Sequence, residues 1–150
     1  MSTELRQLYQ EVLIDHAKRP RNFREIAGAR SVEGYNPLCG DRIRVYVDTD
    51  SGQVRALGFT GSGCAISTAS ASMMTEALQG KTTAEAEGLA DAFQKLVTRP
   101  MDAVVDDSHL GKLAIFAGVR EFPVRVKCAT LAWHTLRSAL HGDAAVVSTE

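Results

Sequence analysis

The stretch Arg42-Ile43-Arg44-Val45-Tyr46-Val47-Asp48 decides the fold, because its side chains alternate. Ile43, Val45 and Val47 fall on one side, Arg44 and Tyr46 on the other, the two-residue period of a half-buried strand. Asp50-Ser51-Gly52 then reads as a hairpin turn leading into a second strand, Gln53 to Thr60. A strand over Ser31 to Tyr35 completes a small antiparallel three-stranded meander. Downstream the period becomes helical. Ile66 to Gln79 carries Ala, Met and Leu on one side and stops at Gly80, and Thr82 with Glu85 matches a capping box for a helix through Leu96.

Upstream, Leu5, Leu8, Tyr9, Val12, Leu13 and His16 predict an amphipathic helix from Thr3 to about Ala17, with Thr3 as its N-cap and Pro20 as its stop. Thr98 to Asp107 reads as a loop with three aspartates, and Leu110 to Phe116 as a short helix with a turn at Gly118. The last helix is expected over Val126 to Leu140, preceded by Pro123 and closed by Gly142. Strands followed by helices predict an α+β fold, a small antiparallel three-stranded sheet covered by helices. Residues 1–150 are expected to form a single domain with a flexible tail from about Asp143.

Composition narrows the function classes. A chain of 150 residues can bury a core without disulfides. A net charge of -1 argues against nucleic acid as a partner. The longest uncharged run, Ala56 to Thr75, is half Gly, Ser and Thr, too polar for a membrane span. Glu4, Arg6, Glu11 and Asp15 interrupt any signal-peptide core. The expected location is cytoplasmic, where thiols stay reduced and cysteines serve as ligands or catalysts.

Three cysteines carry the chemistry. Cys39 lies in the turn Asn36-Pro37-Leu38-Cys39-Gly40-Asp41, and Cys64 ends Gly61-Ser62-Gly63-Cys64 before a helix. Cys128 follows Arg125-Val126-Lys127 and reads as a helix opening. Each is expected at a turn with an exposed thiolate, and a helix N-terminus favours such an anion. A carboxylate close to a thiolate is repulsive unless a cation lies between them, and Asp41 is two residues from Cys39. The residues leave two readings open. Without a C-x-x-C pair, the cysteines are independent buried thiols. Alternatively, Cys39, Asp41, Cys64 and Cys128 form one site of three sulfurs and one oxygen, a tetrahedral set suited to zinc.

The same duality holds for the flanks. Gly61 and Gly63 serve a tight strand-to-helix turn, and Asp41 can cap a turn. Arg19, Arg21 and Arg24 form a solvated face or a docking patch. His16 and His134 are expected to be packed within helices, His109 and His141 to be exposed in loops.

Taken in order, the motifs resemble a known family. Asp15-His16 with Pro20-Arg21-Asn22, then Asn36-Pro37-x-Cys39-Gly40-Asp41, is similar to the start of the IscU/NifU-type iron-sulfur assembly proteins. Gly61-x-Gly63-Cys64-Ala65-Ile66-Ser67 with Ala69 to Met74 resembles the second cysteine motif of that family. Phe122-Pro123-Val124-Arg125-Val126-Lys127-Cys128-Ala129 resembles the third. In IscU proper a histidine precedes the third cysteine, whereas Lys127 stands here and is no ligand while protonated. The interval between Cys64 and Cys128 is also longer, with Pro100 to Phe116 as the insertion. Both departures resemble the SufU branch.

The resemblance implies zinc on Cys39, Asp41, Cys64 and Cys128, and a SufS-type cysteine desulfurase as partner. Cys39 would accept persulfide sulfur after a desulfurase histidine takes its place on the metal, with Asp41 keeping the site open to exchange. Arg125 would orient the persulfide, pair with a partner carboxylate or form a salt bridge at the helix start. Downstream SUF scaffolds or apo-iron-sulfur proteins follow as further partners. The alternative is a scaffold on which a [2Fe-2S] cluster is built and passed on, with iron in place of zinc.

Overall fold

The computed structural model describes residues 3–100, 108–142 and 146–148. Helix α1 (Thr3–Lys18) leads to strands β1 (Arg30–Asn36), β2 (Asp41–Asp50) and β3 (Gln53–Ser62). Helices α2 (Ala65–Leu78) and α3 (Thr83–Thr98), a 3-10 segment (Ser108–Glu121) and helix α4 (Pro123–Leu140) follow, then a two-residue strand β4 (Val147–Ser148). The expected meander is present: β1 pairs with β2 and β2 with β3, all antiparallel. Ser51 and Gly52 both adopt positive φ at the β2–β3 tip, as a type I′ hairpin requires. Val147–Ser148 pairs parallel to β1 and extends the sheet to the order β3-β2-β1-β4. Part of the tail expected to be flexible is therefore held by backbone pairing that no apolar period announces.

The alternation in β2 is realised. Ile43, Val45 and Val47 are buried with Val32, Leu57 and Phe59 on the inner face, where α4 packs. Gly34 permits that approach, since a Cβ there would lie 2.1 Å from Thr135 Oγ1. Trp133 of α4 stacks on Phe93 of α3 at 4.6 Å between centroids, and its Nε1 donates to Ser70 Oγ at 3.1 Å. The capping box at Thr82 and Glu85 forms as expected. α2 ends with Gly80 at φ 87, the left-handed position after a helix. Thr3, expected as the N-cap, is already part of α1, and residues 1 and 2 lie outside the described residues.

The later helical segments depart from expectation. The last helix starts at Pro123 rather than Val126, because proline at the first helical position forfeits no hydrogen bond and has its φ preset. The predicted short helix over 110–116 is a longer 3-10 segment, broken at Gly111 (φ 54, ψ -128). Glycine at that point interrupts the regular turn a helix would need. Of the predicted loop Thr98 to Asp107, Thr98 closes α3 and residues 101–107 lie outside the described residues.

A buried polar network fixes α1 and the turn after it to α2. His16 Nδ1 meets Ser72 Oγ at 2.7 Å, and the Arg21 backbone N–H donates to the same oxygen at 2.8 Å. Arg19 and Arg21 both pair with Asp15, so these cations are held in a local ion-pair cluster. Burial, reinforced by the Arg21 charge, lowers the His16 pKa below 6.5. Burial followed by the Arg137 charge lowers that of His134. The unfolded chain therefore binds more protons just below pH 6.5 than the folded one. Stability is fully present above that value and is lost as pH falls through the lower folded pKa values. The denaturant midpoint should drop between about pH 7.5 and about pH 5.5, and less so in His16→Gln. Equal midpoints at the two pH values would contradict this.

Candidate metal centre

The inner face of the sheet changes character at one end. Following Val32 and Gly34 on β1, and preceding Ile43 and Val45 on β2, the inward positions are Asn36 and Asp41. These two are cross-strand partners, both fully buried, and they close a hairpin whose loop is residues 37–40. Gly40 takes φ 71 in that loop and its N–H returns to Asn36 O at 2.8 Å. Cys39 is carried at the tip and is exposed.

The other two cysteines arrive from helices above this end of the sheet. Cys64 is the N-cap of α2, and its sulfur accepts the Ser67 backbone N–H at 3.4 Å. Asp41 Oδ1 accepts the Cys64 backbone N–H at 2.8 Å, and Cys64 Sγ lies 4.0 Å from Asp41 Oδ2. Cys128 lies in the second turn of α4, not at a helix start, and is buried, against the expectation of an exposed thiolate at a helix opening. The earlier start at Pro123 accounts for that shift. Cys128 Sγ is 3.2 Å from Cys39 Sγ.

One oxygen of Asp41 and the sulfurs of Cys39 and Cys128 lie within 4.8 Å of one another. Cys64 stands at the margin of this group, beside Asp41. Burial pushes the Cys128 thiol well above its ordinary pKa, and its contacts with Cys39, Asp41 and Cys64 push it the same way. Such a set of acids is costly without a cation and becomes favourable around one. Three sulfurs and one carboxylate oxygen are a donor set that fits zinc or a thiolate-bound iron-sulfur cluster.

Two residues of this centre were read in the sequence only as turn formers. Asn36 Nδ2 donates to Asp41 Oδ2 at 3.2 Å and approaches Cys128 Sγ at 3.5 Å, while Asn36 Oδ1 accepts the Leu38 N–H at 3.2 Å. Gly63 gives Asp41 its room, since a Cβ there would sit 2.8 Å from Asp41 Oδ1. The available signal was their position: both flank a cysteine inside a motif.

Arg125 is exposed three residues before Cys128, and its guanidinium lies 4.5 Å from the centroid of the Phe122 ring. It borders a groove of about 860 Å³ with Tyr9, Leu13, Ile14 and Ile66. Lys127 is half-buried. His141 is exposed as expected and pairs with Glu87.

The fold and this cysteine-carboxylate centre define a member of the iron-sulfur cluster assembly class. Residues 8–139 match the model of the NifU-like N terminal domain, so the chain belongs to that family. It is 42% identical over 142 residues to the iron-sulfur cluster assembly scaffold protein IscU of Streptococcus pyogenes serotype M1, covering 95% of this chain and 88% of that one. It is 41% identical over 134 residues to the zinc-dependent sulfurtransferase SufU of Bacillus subtilis (strain 168), covering 89% of each. The crystal structure of FiSufU from thermophilic Fervidobacterium islandicum AW-1 superimposes with a TM-score of 0.81 at 33% identity, over 93% of this chain and 99% of that one. Among the described residues no helix is long and apolar enough to cross a membrane.

Proposed function

We propose that this protein is a zinc-dependent sulfur acceptor that takes persulfide sulfur from a SufS-type cysteine desulfurase during iron-sulfur cluster assembly. The observation that carries this reading is the asymmetry of the centre: Cys39 is exposed on a loop tip, while Asp41 and Cys128 are buried beneath it. One thiol is thus accessible to a donor, and its partners stay anchored on β2 and α4. The likeness to a relative named as a zinc-dependent sulfurtransferase supports it, as does Lys127 where a cluster-binding histidine would stand.

Zinc held by Cys39, Asp41, Cys64 and Cys128 would supply the positive charge that keeps the sulfurs ionised. Once its place among the donors is taken by a desulfurase histidine, the Cys39 thiolate attacks the terminal sulfur of the donor persulfide. A sulfur–sulfur bond forms on Cys39, the donor's sulfur–sulfur bond breaks, and the donor cysteine leaves as thiolate, with no net oxidation. Arg125 is on the side of α4 that carries Cys128, one turn earlier, and is the cation available to an incoming persulfide or to a partner carboxylate. Leu38 beside Cys39 and Val124 one turn before Cys128 are exposed and offer apolar contact to that partner.

The second reading is a scaffold for a [2Fe-2S] cluster, favoured by the 42% identity to a relative named as such. Anaerobic reconstitution with iron and sulfide separates the two. The sulfur-acceptor reading predicts no stable chromophore, and mass spectrometry after incubation with a desulfurase and cysteine should show one added sulfur on Cys39. A chromophore transferable to an apo-ferredoxin, with no sulfur on Cys39, would favour the scaffold.

A further inference from the structure

We infer that Asn36 is a positioning residue of the metal centre, tying the loop that carries Cys39 to the two donors that stay buried. The inference rests on the metal reading above and goes beyond its ligand set. Asn36 is fully buried, and both ends of its amide are engaged. One end accepts the Leu38 N–H at 3.2 Å and so holds the residue next to Cys39. The other end donates to Asp41 Oδ2 at 3.2 Å and points at Cys128 Sγ, 3.5 Å away.

The orientation of the amide follows from its partners. Reversed, it would set its oxygen against the Asp41 carboxylate and its N–H groups against the Leu38 N–H, two repulsive contacts in a buried site. Only the observed orientation satisfies both ends. Nδ2 is thus within hydrogen-bonding distance of two groups of the candidate donor set, the Asp41 carboxylate and the Cys128 sulfur. A hydrogen bond to a ligating thiolate or carboxylate fixes its direction and draws off part of its negative charge, which tunes its hold on the cation. Among the described residues, no side chain outside the four donors bonds to two of them. A shorter or apolar residue would keep the hairpin and lose this link.

The test compares the full chain with Asn36→Ala. Zinc affinity is measured by competition with a chromophoric chelator, and cobalt(II) uptake by its thiolate charge-transfer absorption. Asn36→Ala should weaken zinc by about 10–100-fold and shift the cobalt charge-transfer band, because the Cys128 sulfur loses its donor. A role confined to the fold would lower the melting temperature of the metal-free chain and leave the band in place. That result, with unchanged zinc affinity, overturns the inference. In case the variant does not fold, the parent chain loaded with a spin-active cadmium isotope carries the test alone. Scalar coupling from cadmium to the Asn36 amide protons supports the inference, and absent coupling with a freely exchanging amide overturns it. A parent chain that takes up no metal overturns the metal reading itself, a separate failure visible before any variant is made.

Discussion

Cys39→Ala should reduce sulfur acceptance from a persulfidated desulfurase to background. Cys39 is the exposed cysteine, at the tip of the 37–40 loop, and Cys128 lies buried directly beneath it. A donor persulfide must bring its terminal sulfur into line with the attacking thiolate, and a buried sulfur gives no such approach. The substitution removes an exposed side chain, so the folding free energy should stay within about 0.5 kcal/mol once metal content is matched. Labelled sulfur from cysteine, followed on the chain after separation from the desulfurase, provides the measurement. Transfer at the parent rate by Cys39→Ala would remove the acceptor role from Cys39. Both substitutions remove a donor of the metal centre, but Cys128→Ala also perturbs a buried position and is the weaker test.

Gly61→Ala should be among the most destabilising single changes in the chain. Gly61 has φ 130, a region that side chains rarely enter, and a Cβ there would lie 2.1 Å from the Arg42 carbonyl oxygen. That oxygen belongs to the neighbouring strand, so relief requires β2 to move. Gly52→Ala supplies the control: it has φ 77 but nothing within 4 Å of the added carbon. Conformational strain alone should cost Gly52→Ala about 1–2 kcal/mol. Strain and backbone overlap together should cost Gly61→Ala about 3 kcal/mol or more. Displacing Arg42 also displaces Asp41, so zinc uptake should fall along with stability. Denaturant unfolding of both variants decides the matter, and equal losses would contradict the overlap at Arg42.

Much of the architecture was legible because local signals and packing agree. The β2 alternation, the Asp50-Ser51-Gly52 turn and the Thr82–Glu85 box each act over a few residues, and each is found in place. Cys128 was misplaced because Pro123 was read as lying outside the helix, whereas it occupies the first helical turn. The β4 pairing depends on backbone hydrogen bonds between segments far apart in the chain, which leave no side-chain period. The four candidate donors were named from the sequence, but their unequal exposure was not visible there. One thiol exposed, one half-buried and one buried is a product of how α2 and α4 meet the sheet end. Asn36 was legible as a turn former, and its two-ended bonding emerges only when β1 and β2 pair it with Asp41.

Metal analysis of the protein purified without added metal decides between a zinc centre and an iron-sulfur cluster. About one zinc per chain, without acid-labile sulfide, is the expected result, and it should be lost when Asp41 or Cys128 is replaced. Iron with acid-labile sulfide in its place would contradict the zinc reading.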